Sequence, residues 1–160
     1  MDEIKKKRAE AMYARMCKFL DDLDWQYTRN DEDLMIKCTA RGEDLPMDLL
    51  ITCDIDLQML QIISLLPFEA PEDKRLDFAI AVDYVNNTLV DGCFDFDVLG
   101  GSLFFRISHS FFEYENNSLG FETFEYLIFC ACGTIDKFND KFFMLAKGML
   151  TLEKFLESEA

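Results

Sequence analysis

The fold class is decided by residues 82–109, VDYVNNTLVDGCFDFDVLGGSLFFRISH. The pattern predicts the end of a helix, a stop at a glycine, and then two strands joined by Gly100 and Gly101. Two glycines suit a two-residue hairpin loop, because such turns need positive φ angles. The stretch therefore predicts a helix followed by an antiparallel hairpin, which is typical of an α+β domain.

A two-residue loop also fixes the expected pairing of this hairpin. Leu99 then lies opposite Ser102, and Asp95 lies opposite Arg106, which predicts an ion pair across the strands. Side chains alternate between the two faces of a sheet, so this register separates polar from apolar residues. The predicted polar face carries Asp91, Cys93, Asp95, Asp97, Phe104, Arg106 and Ser108, and the apolar face carries Phe94, Phe96, Val98, Leu103, Phe105 and Ile107.

Composition predicts one acidic domain spanning residues 1–160. Half of the 160 residues are hydrophobic, which is enough for a sizeable core, and the net charge is −15. Six of the 16 basic and six of the 31 acidic residues lie in residues 1–24, so the remainder carries the whole net charge. This balance argues against nucleic acid and anionic membranes as partners. The charged N-terminal stretch and the lack of a long apolar run predict no signal peptide and no membrane span, hence a cytoplasmic protein.

Apolar periodicity predicts the remaining elements. The second helix is apolar around more than half of its circumference, which suggests that one side of it forms a dimer interface. The long helix carries a heptad stripe that either covers the sheet or pairs with a second chain, the former being commoner. The predicted elements are an N-terminal helix (1–24), a hairpin (25–39), strands from Pro46 to Ile55 and from Leu57 to Leu66, a helix from Pro71 to about Leu89, the hairpin above, a helix over 119–147 and a short C-terminal helix within 151–160.

Two element boundaries are predicted near residues 54–56 and at Pro67. Asp54–Asp56 either forms a turn between two strands or bends a single strand, since neither glycine nor proline marks it. Pro67 is expected to end the strand run before it. The predicted order is therefore α-β-β-β-(β)-α-β-β-α, with an antiparallel sheet packed against helices.

The sequence predicts no catalytic, cofactor-binding or metal-binding residue. The single histidine, His109, is expected on the inner face as a structural residue. The aspartates at 54, 56, 83, 91, 95 and 97 lack the spacing of a calcium loop. The six cysteines are expected to be free thiols, and Cys130 and Cys132 lie on different sides of a helix. The basic run at residues 5–8 is interpreted as a solvated face. These features predict a non-enzyme.

Residues 66–111 resemble the YbjN-type domain. The matching signals are Leu66-Pro67 at a strand end, Asn86-Asn87 at a helix end, Gly92-Cys93-Phe94 at a strand start and Phe105-Arg106 in the hairpin. The final helix ending at Lys147-Gly148 also fits, and the likeness extends from Trp25 to Met149. The resemblance implies a fold similar to type III secretion chaperones, which are small, acidic, usually dimeric proteins that bind a client segment without catalysis.

Two functional hypotheses follow. The first is a non-catalytic protein-binding or chaperone-like module of the bacterial cytoplasm, whose partner is a protein client or a second copy of itself. The alternative is a small-molecule-sensing regulatory domain, which fits the sensory transduction regulator label of the family. Neither hypothesis assigns partner-binding residues, the client, the pathway or the oligomeric state, and the N-terminal helix has no assigned role.

Overall fold

A computed structural model describes residues 3–112 and 119–158 of the chain. Within these ranges, six strands form one antiparallel sheet, and four α-helices accompany it. The elements are α1 (Glu3–Asp22), β1 (Tyr27–Asn30), β2 (Met35–Arg41), β3 (Pro46–Asp54), β4 (Met59–Glu69), a 3-10 turn (Glu72–Lys74), α2 (Arg75–Asn86), β5 (Cys93–Phe96), β6 (Ser102–Ser110), α3 (Phe121–Ala146) and α4 (Leu152–Glu157).

The strands lie in the order β1-β2-β3-β4-β6-β5. Their burial alternates residue by residue, as expected for a sheet with one covered face. The inner face carries buried side chains such as Ile51, Ile62 and Phe105, against which α1 and α3 pack. The outer face carries the alternate residues, including the exposed Asp48 and Leu65. The predicted α+β class, with an antiparallel sheet packed against helices, is confirmed.

The long helix α3 covers the sheet. Its apolar stripe is buried at Phe124, Ile128, Ile135 and Phe142, and the helix contacts β3, β4 and β6. The ring of Phe142 lies 5.3 Å from that of Phe94 and 5.1 Å from that of Phe155 in α4, measured between centroids. Aromatic pairs at such separations contribute stabilising free energy in addition to that of the apolar area they bury. The heptad stripe therefore serves the core of this chain.

The β5–β6 hairpin differs from its predicted register by two residues. Asp97, and not Leu99, lies opposite Ser102, and its N–H donates to the Ser102 carbonyl at 2.9 Å. The longer loop is stable because the Asp97 carboxylate accepts the Leu99 N–H at 3.0 Å, and Arg75 donates to the Leu99 and Gly100 carbonyls. A shift of two residues keeps each paired side chain on its predicted face.

Two consequences of the longer loop follow. Val98, predicted on the apolar face, lies in the loop and is exposed. Asp95 lies opposite Phe104 and not Arg106, yet the Arg106 Nε still donates to the Asp95 carboxylate at 2.9 Å. The ion pair is therefore present, but it runs diagonally between the strands.

The boundaries around β4 settle one open question and correct one prediction. Residues 54–58 form a turn between two strands, in which the Asp54 carboxylate accepts the Leu57 N–H at 2.7 Å and Gln58 adopts a φ of 53°. Pro67 does not end β4, which continues to Glu69. The pairing of β3 with β4 stops at Ile63, so the missing N–H of Pro67 removes no bond from that ladder.

The helix predicted from Pro71 to about Leu89 is shorter in the structure. It begins as the 3-10 turn and continues as α2, which ends at Asn86. One side of α2 is buried against β5, with the Phe78 and Phe96 rings 5.5 Å apart. On another side, Leu76 and Ile80 are exposed. The predicted second apolar side of this helix thus remains at the surface of the single chain.

Candidate functional site

The basic run of α1 is engaged by the protein itself. Lys6 and Lys7 form ion pairs with acidic residues on the same helix. Lys5 donates to the Asp56 carbonyl at 3.1 Å, and Arg8 donates to the Phe112 carbonyl at 2.7 Å. These long-range bonds attach the start of α1 to the rest of the fold, which gives the charged helix a structural role.

The candidate aspartates lie in separate parts of the fold and form local bonds. Asp91 accepts from the Gly92 N–H at 2.8 Å and from the Tyr126 hydroxyl at 3.3 Å. Asp83 accepts a weak 3.5 Å bond from the Asn87 side chain. Asp54, Asp95 and Asp97 make the turn and strand bonds already described. No group of three or more possible metal ligands occurs within residues 3–112 and 119–158.

His109 and the cysteines occupy structural positions. His109 lies opposite Leu60 on the inner face and is half-buried. All six cysteines are free. Burial raises the pKa of Cys38 and of Cys53 to about 12, and that of Cys132 to about 11, so these thiols stay protonated at neutral pH. A protonated thiol is a poor nucleophile and a poor metal ligand.

One edge of the sheet is capped by a side chain. β5 is an edge strand, and Phe94 directs its backbone N–H and carbonyl away from β6. The amide of Asn86 takes both groups, because its Oδ1 accepts the Phe94 N–H at 2.8 Å and its Nδ2 donates to the Phe94 carbonyl at 2.9 Å. This bidentate bond resembles the pairing with a further strand and keeps these two groups of Phe94 from pairing with another chain. The Asn86 of the YbjN-like motif thus has a defined structural role.

At the other edge, the edge strand β1 is shorter than its neighbour β2. β1 pairs with residues 35–38 of β2 and leaves residues 39–41 without a strand beside them. The chain turns away at Trp25, whose N–H donates to the Leu20 carbonyl of α1 at 3.0 Å. We call residues 39–41 the open edge.

The backbone direction along the open edge follows from the β2–β3 ladder. The Cys53 N–H donates to the Leu34 carbonyl at 3.1 Å, and these residues continue the β2–β3 register. Hydrogen-bonded pairs alternate along an antiparallel ladder, so Ala40 directs its backbone groups toward β3. Thr39 and Arg41 direct theirs outward, where no described strand receives them. The open edge therefore presents two donors and two acceptors in strand geometry.

A hollow lies on each side of the open edge. The outer hollow, of about 820 Å³, lies on the outer face and includes Lys37, Thr39, Asp48, Leu50, Ile63 and Leu65. The inner hollow, of about 730 Å³, lies between β2 and α3 and includes Trp25, Ala40, Met47, Phe129, Gly133 and Asp136. Both volumes fall in the range of ligand-binding clefts. Successive side chains of a strand laid along this edge would point into one hollow and then the other.

Sequence reasoning did not find this site. The length of β1 relative to β2 creates the open edge, and strand ends are poorly marked in the sequence. One available signal was Gly133, a glycine in the middle of a helix that the apolar stripe predicts well. The exposed aromatic Phe129 lies one turn before it.

Comparisons with known proteins identify the fold. No family model and no curated protein matches the chain. YbjN from E. coli, described as a candidate transcription regulator, superposes with a TM-score of 0.57 at 14% identity, over 81% of this chain and 92% of that one. A chain of the HopA1–SchA chaperone–effector complex superposes with a TM-score of 0.53 at 17% identity, over 82% of this chain and 95% of that one.

Within the described ranges, none of the helices is both long and apolar enough to cross a membrane. At identities of 14% and 17% over more than four-fifths of the chain, these superpositions show a shared fold and not a shared function. The chain therefore has a YbjN-like fold, which is also the fold of the type III secretion chaperone SchA.

Proposed function

We propose that this protein is a non-catalytic, chaperone-like binding module that captures an extended segment of a client protein along the open edge of β2. The observation that carries the proposal is the open edge itself, with a hollow on each of its sides. Strand addition supplies affinity through backbone hydrogen bonds and selectivity through pockets for alternate side chains. The open edge has both features, whereas at the β5 edge Asn86 occupies the backbone groups of Phe94.

The charge of the protein indicates the kind of client. Residues outside the N-terminal helix carry the whole net charge of −15. A basic segment would be attracted to this surface and would associate faster than a neutral one. The likeness to a chain of a chaperone–effector complex supports a protein partner. The protonated thiols and the structurally bonded aspartates support a binding role over a catalytic one, and free thiols suit a reducing cytoplasm.

The test begins with selection of binders from a displayed library of twelve-residue peptides. A selected peptide is then added while amide hydrogen exchange is followed in the full chain. We expect slower exchange at Thr39 and Arg41, because their N–H groups acquire carbonyl partners. Protection confined to other surfaces would contradict the proposal.

A pair of variants at one residue sharpens this test. Thr39→Pro removes an outward N–H, and an edge position tolerates proline. Thr39→Val keeps this N–H and removes only the side-chain hydroxyl, which donates to Asp48 at 2.6 Å. We expect the proline variant to lose peptide binding and the valine variant to keep it. Equal binding by both variants, with native circular dichroism spectra, would exclude strand addition at this residue.

We also propose that two copies associate through the exposed side of α2. Leu76 is 73% exposed and Ile80 42% exposed, one helical turn apart. The loop residue Leu99 is 87% exposed, and its carbonyl accepts from Arg75, the residue before Leu76. Burying such a patch against its own copy would give a symmetric dimer. Light scattering should show a dimer that Leu76→Glu converts to a monomer, whereas Val90→Glu, at a fully exposed apolar position outside this patch, should leave the dimer unchanged.

A second candidate function is small-molecule sensing. The inner hollow favours it, because it lies between the sheet and α3 and has aromatic walls. A small apolar ligand held there would raise the melting temperature without slowing amide exchange at Thr39. That pattern, found in place of peptide binding, would support the sensing function.

A further inference from the structure

We infer that the inner hollow selects a bulky apolar side chain of the client, at the client position opposite Ala40, with basic residues two positions away on either side. This inference rests on the proposed strand addition and names the chemistry of the segment that the open edge accepts. It follows from the direction of Ala40, from the shape of the hollow and from the charges at its rim.

The position opposite Ala40 is set by the sheet geometry. Ala40 pairs with Met47, which is buried on the inner face. Directly opposed residues in a sheet share a face, so a client residue beside Ala40 sends its side chain inward. The inner hollow lies at that point. The client residues on either side face outward, toward Lys37 and Asp48 of the outer hollow.

The shape of the inner hollow fits a large apolar group. Its walls are Trp25, Met47 and the 56%-exposed ring of Phe129, while Ala40 and Gly133 leave space between them. A Cβ atom built on Gly133 meets no other heavy atom within 4 Å, and the residue does not have a positive φ. Glycine inside a helix costs about 1 kcal/mol relative to alanine. Within the described chain, neither a close contact nor a positive φ angle requires glycine at this position. Space for an occupant of the hollow would be a reason for it.

Charge at the rim indicates the residues that flank the apolar group. The Asp136 carboxylate lies in the wall of the hollow and accepts the Glu43 N–H at 2.9 Å. Glu43 and Asp44 are exposed in the adjoining loop, so this part of the surface carries more acidic charge than the one arginine, Arg41, that lines the hollow. The hollow therefore favours lysine or arginine two positions from the inserted side chain, where a strand residue again faces inward.

The test uses synthetic ten-residue peptides of alternating lysine and threonine in which one central lysine is replaced by Phe, Leu, Ala or Asp, so that lysines lie two positions away on either side. Trp25 is the only tryptophan in the chain, so its fluorescence reports on the inner hollow. Amide exchange at Thr39 and Arg41 reports independently on strand addition. We expect the Phe and Leu peptides to bind at least about tenfold more tightly than the Ala peptide, as apolar pockets usually discriminate.

Gly133→Leu should fill the hollow and abolish this preference while leaving the weak binding of the Ala peptide unchanged. Glu125→Leu, an exposed change elsewhere on α3, is the matched control and should keep the preference. Equal affinity for all four peptides, with protection at Thr39, would overturn the inference and leave strand addition standing. Absence of protection at Thr39 with every peptide would overturn strand addition. If the Phe peptide alone changed the Trp25 fluorescence, and Thr39 were not protected, the hollow would bind phenylalanine without strand addition, and this result would also overturn the inference.

Discussion

The side chain of Asn86 makes two hydrogen bonds to the backbone of Phe94, at 2.8 and 2.9 Å, and so takes the place of a seventh strand. Asn86→Ala would leave both backbone groups without these partners. Leaving backbone groups unpaired in a half-buried site costs about 1–3 kcal/mol. We therefore expect the free energy of unfolding, measured by urea denaturation, to decrease by about that amount. Asn87→Ala, which removes an exposed bond to Asp83, should cost less. A smaller effect at Asn86 than at Asn87 would contradict the capping role.

Asn139 should limit the stability of the core. It is 1% exposed, and neither its Oδ1 nor its Nδ2 has a hydrogen-bond partner within residues 3–112 and 119–158. Replacing an unpaired buried amide with leucine of similar shape removes its desolvation cost, so Asn139→Leu should raise the free energy of unfolding by about 1–2 kcal/mol. Asn139→Asp should lower it, because a charge would be buried without a partner. Urea denaturation at neutral pH measures both. Destabilisation by leucine would show that the amide has a partner.

Gly101 and Gly133 should respond in opposite ways to alanine. Gly101 has a φ of 89°, and a Cβ there would lie 2.5 Å from the Ala70 carbonyl oxygen, so Gly101→Ala should lower the melting temperature markedly. Gly133→Ala should raise the melting temperature, because alanine favours the helix by about 1 kcal/mol in free energy and its Cβ atom meets no other heavy atom within 4 Å. Differential scanning calorimetry on the two variants distinguishes these outcomes. Destabilisation by Gly133→Ala would mean that the glycine has a structural function.

Stability should fall in mildly alkaline solution. Burial raises the pKa of Cys53 to about 12, whereas a thiol in an unfolded chain titrates near about 8.5. Above that pH the unfolded state releases a proton that the folded state retains, so the free energy of unfolding decreases as pH rises from about 8.5 toward 12. Below that pH the contribution is fully present. Urea denaturation at several pH values measures the slope.

Cys53→Val should make this alkaline decrease shallower, because valine has no proton to lose. Ile51→Val, a change on the same face of β3 two residues away, provides the control for altered packing and should leave the pH dependence as in the parent. Equal slopes in the two variants would show that Cys53 does not contribute to it. Cys38 and Cys132, whose pKa values are also raised by burial, account for part of the remaining slope.

Much of the fold could be predicted because its signals are local. The stripe of α3, the alternation in β3 and the short C-terminal helix α4 all lie within single elements. The resemblance to YbjN-type domains and its chaperone-like fold were predicted from residues 66–111 and are confirmed. The free state of the six cysteines is confirmed as well.

The failures have non-local causes. The hairpin loop is longer than predicted because Arg75, on a different element, binds the Leu99 and Gly100 carbonyls. The continuation of β4 past Pro67 depends on where β3 stops pairing. The open edge could not be predicted, since it depends on the bond by which Trp25, before β1, is held to α1. Absence of catalysis, cytoplasmic location and self-association stay predictions.

The two sheet edges differ in what the addition of a further strand would require. Beside β5, an added strand would have to displace Asn86 from the backbone groups of Phe94. Beside residues 39–41 of β2, an added segment would lie end to end with β1, because β1 pairs only with residues 35–38. A client bound there would therefore lengthen the last row of the sheet and would not add a new row to it.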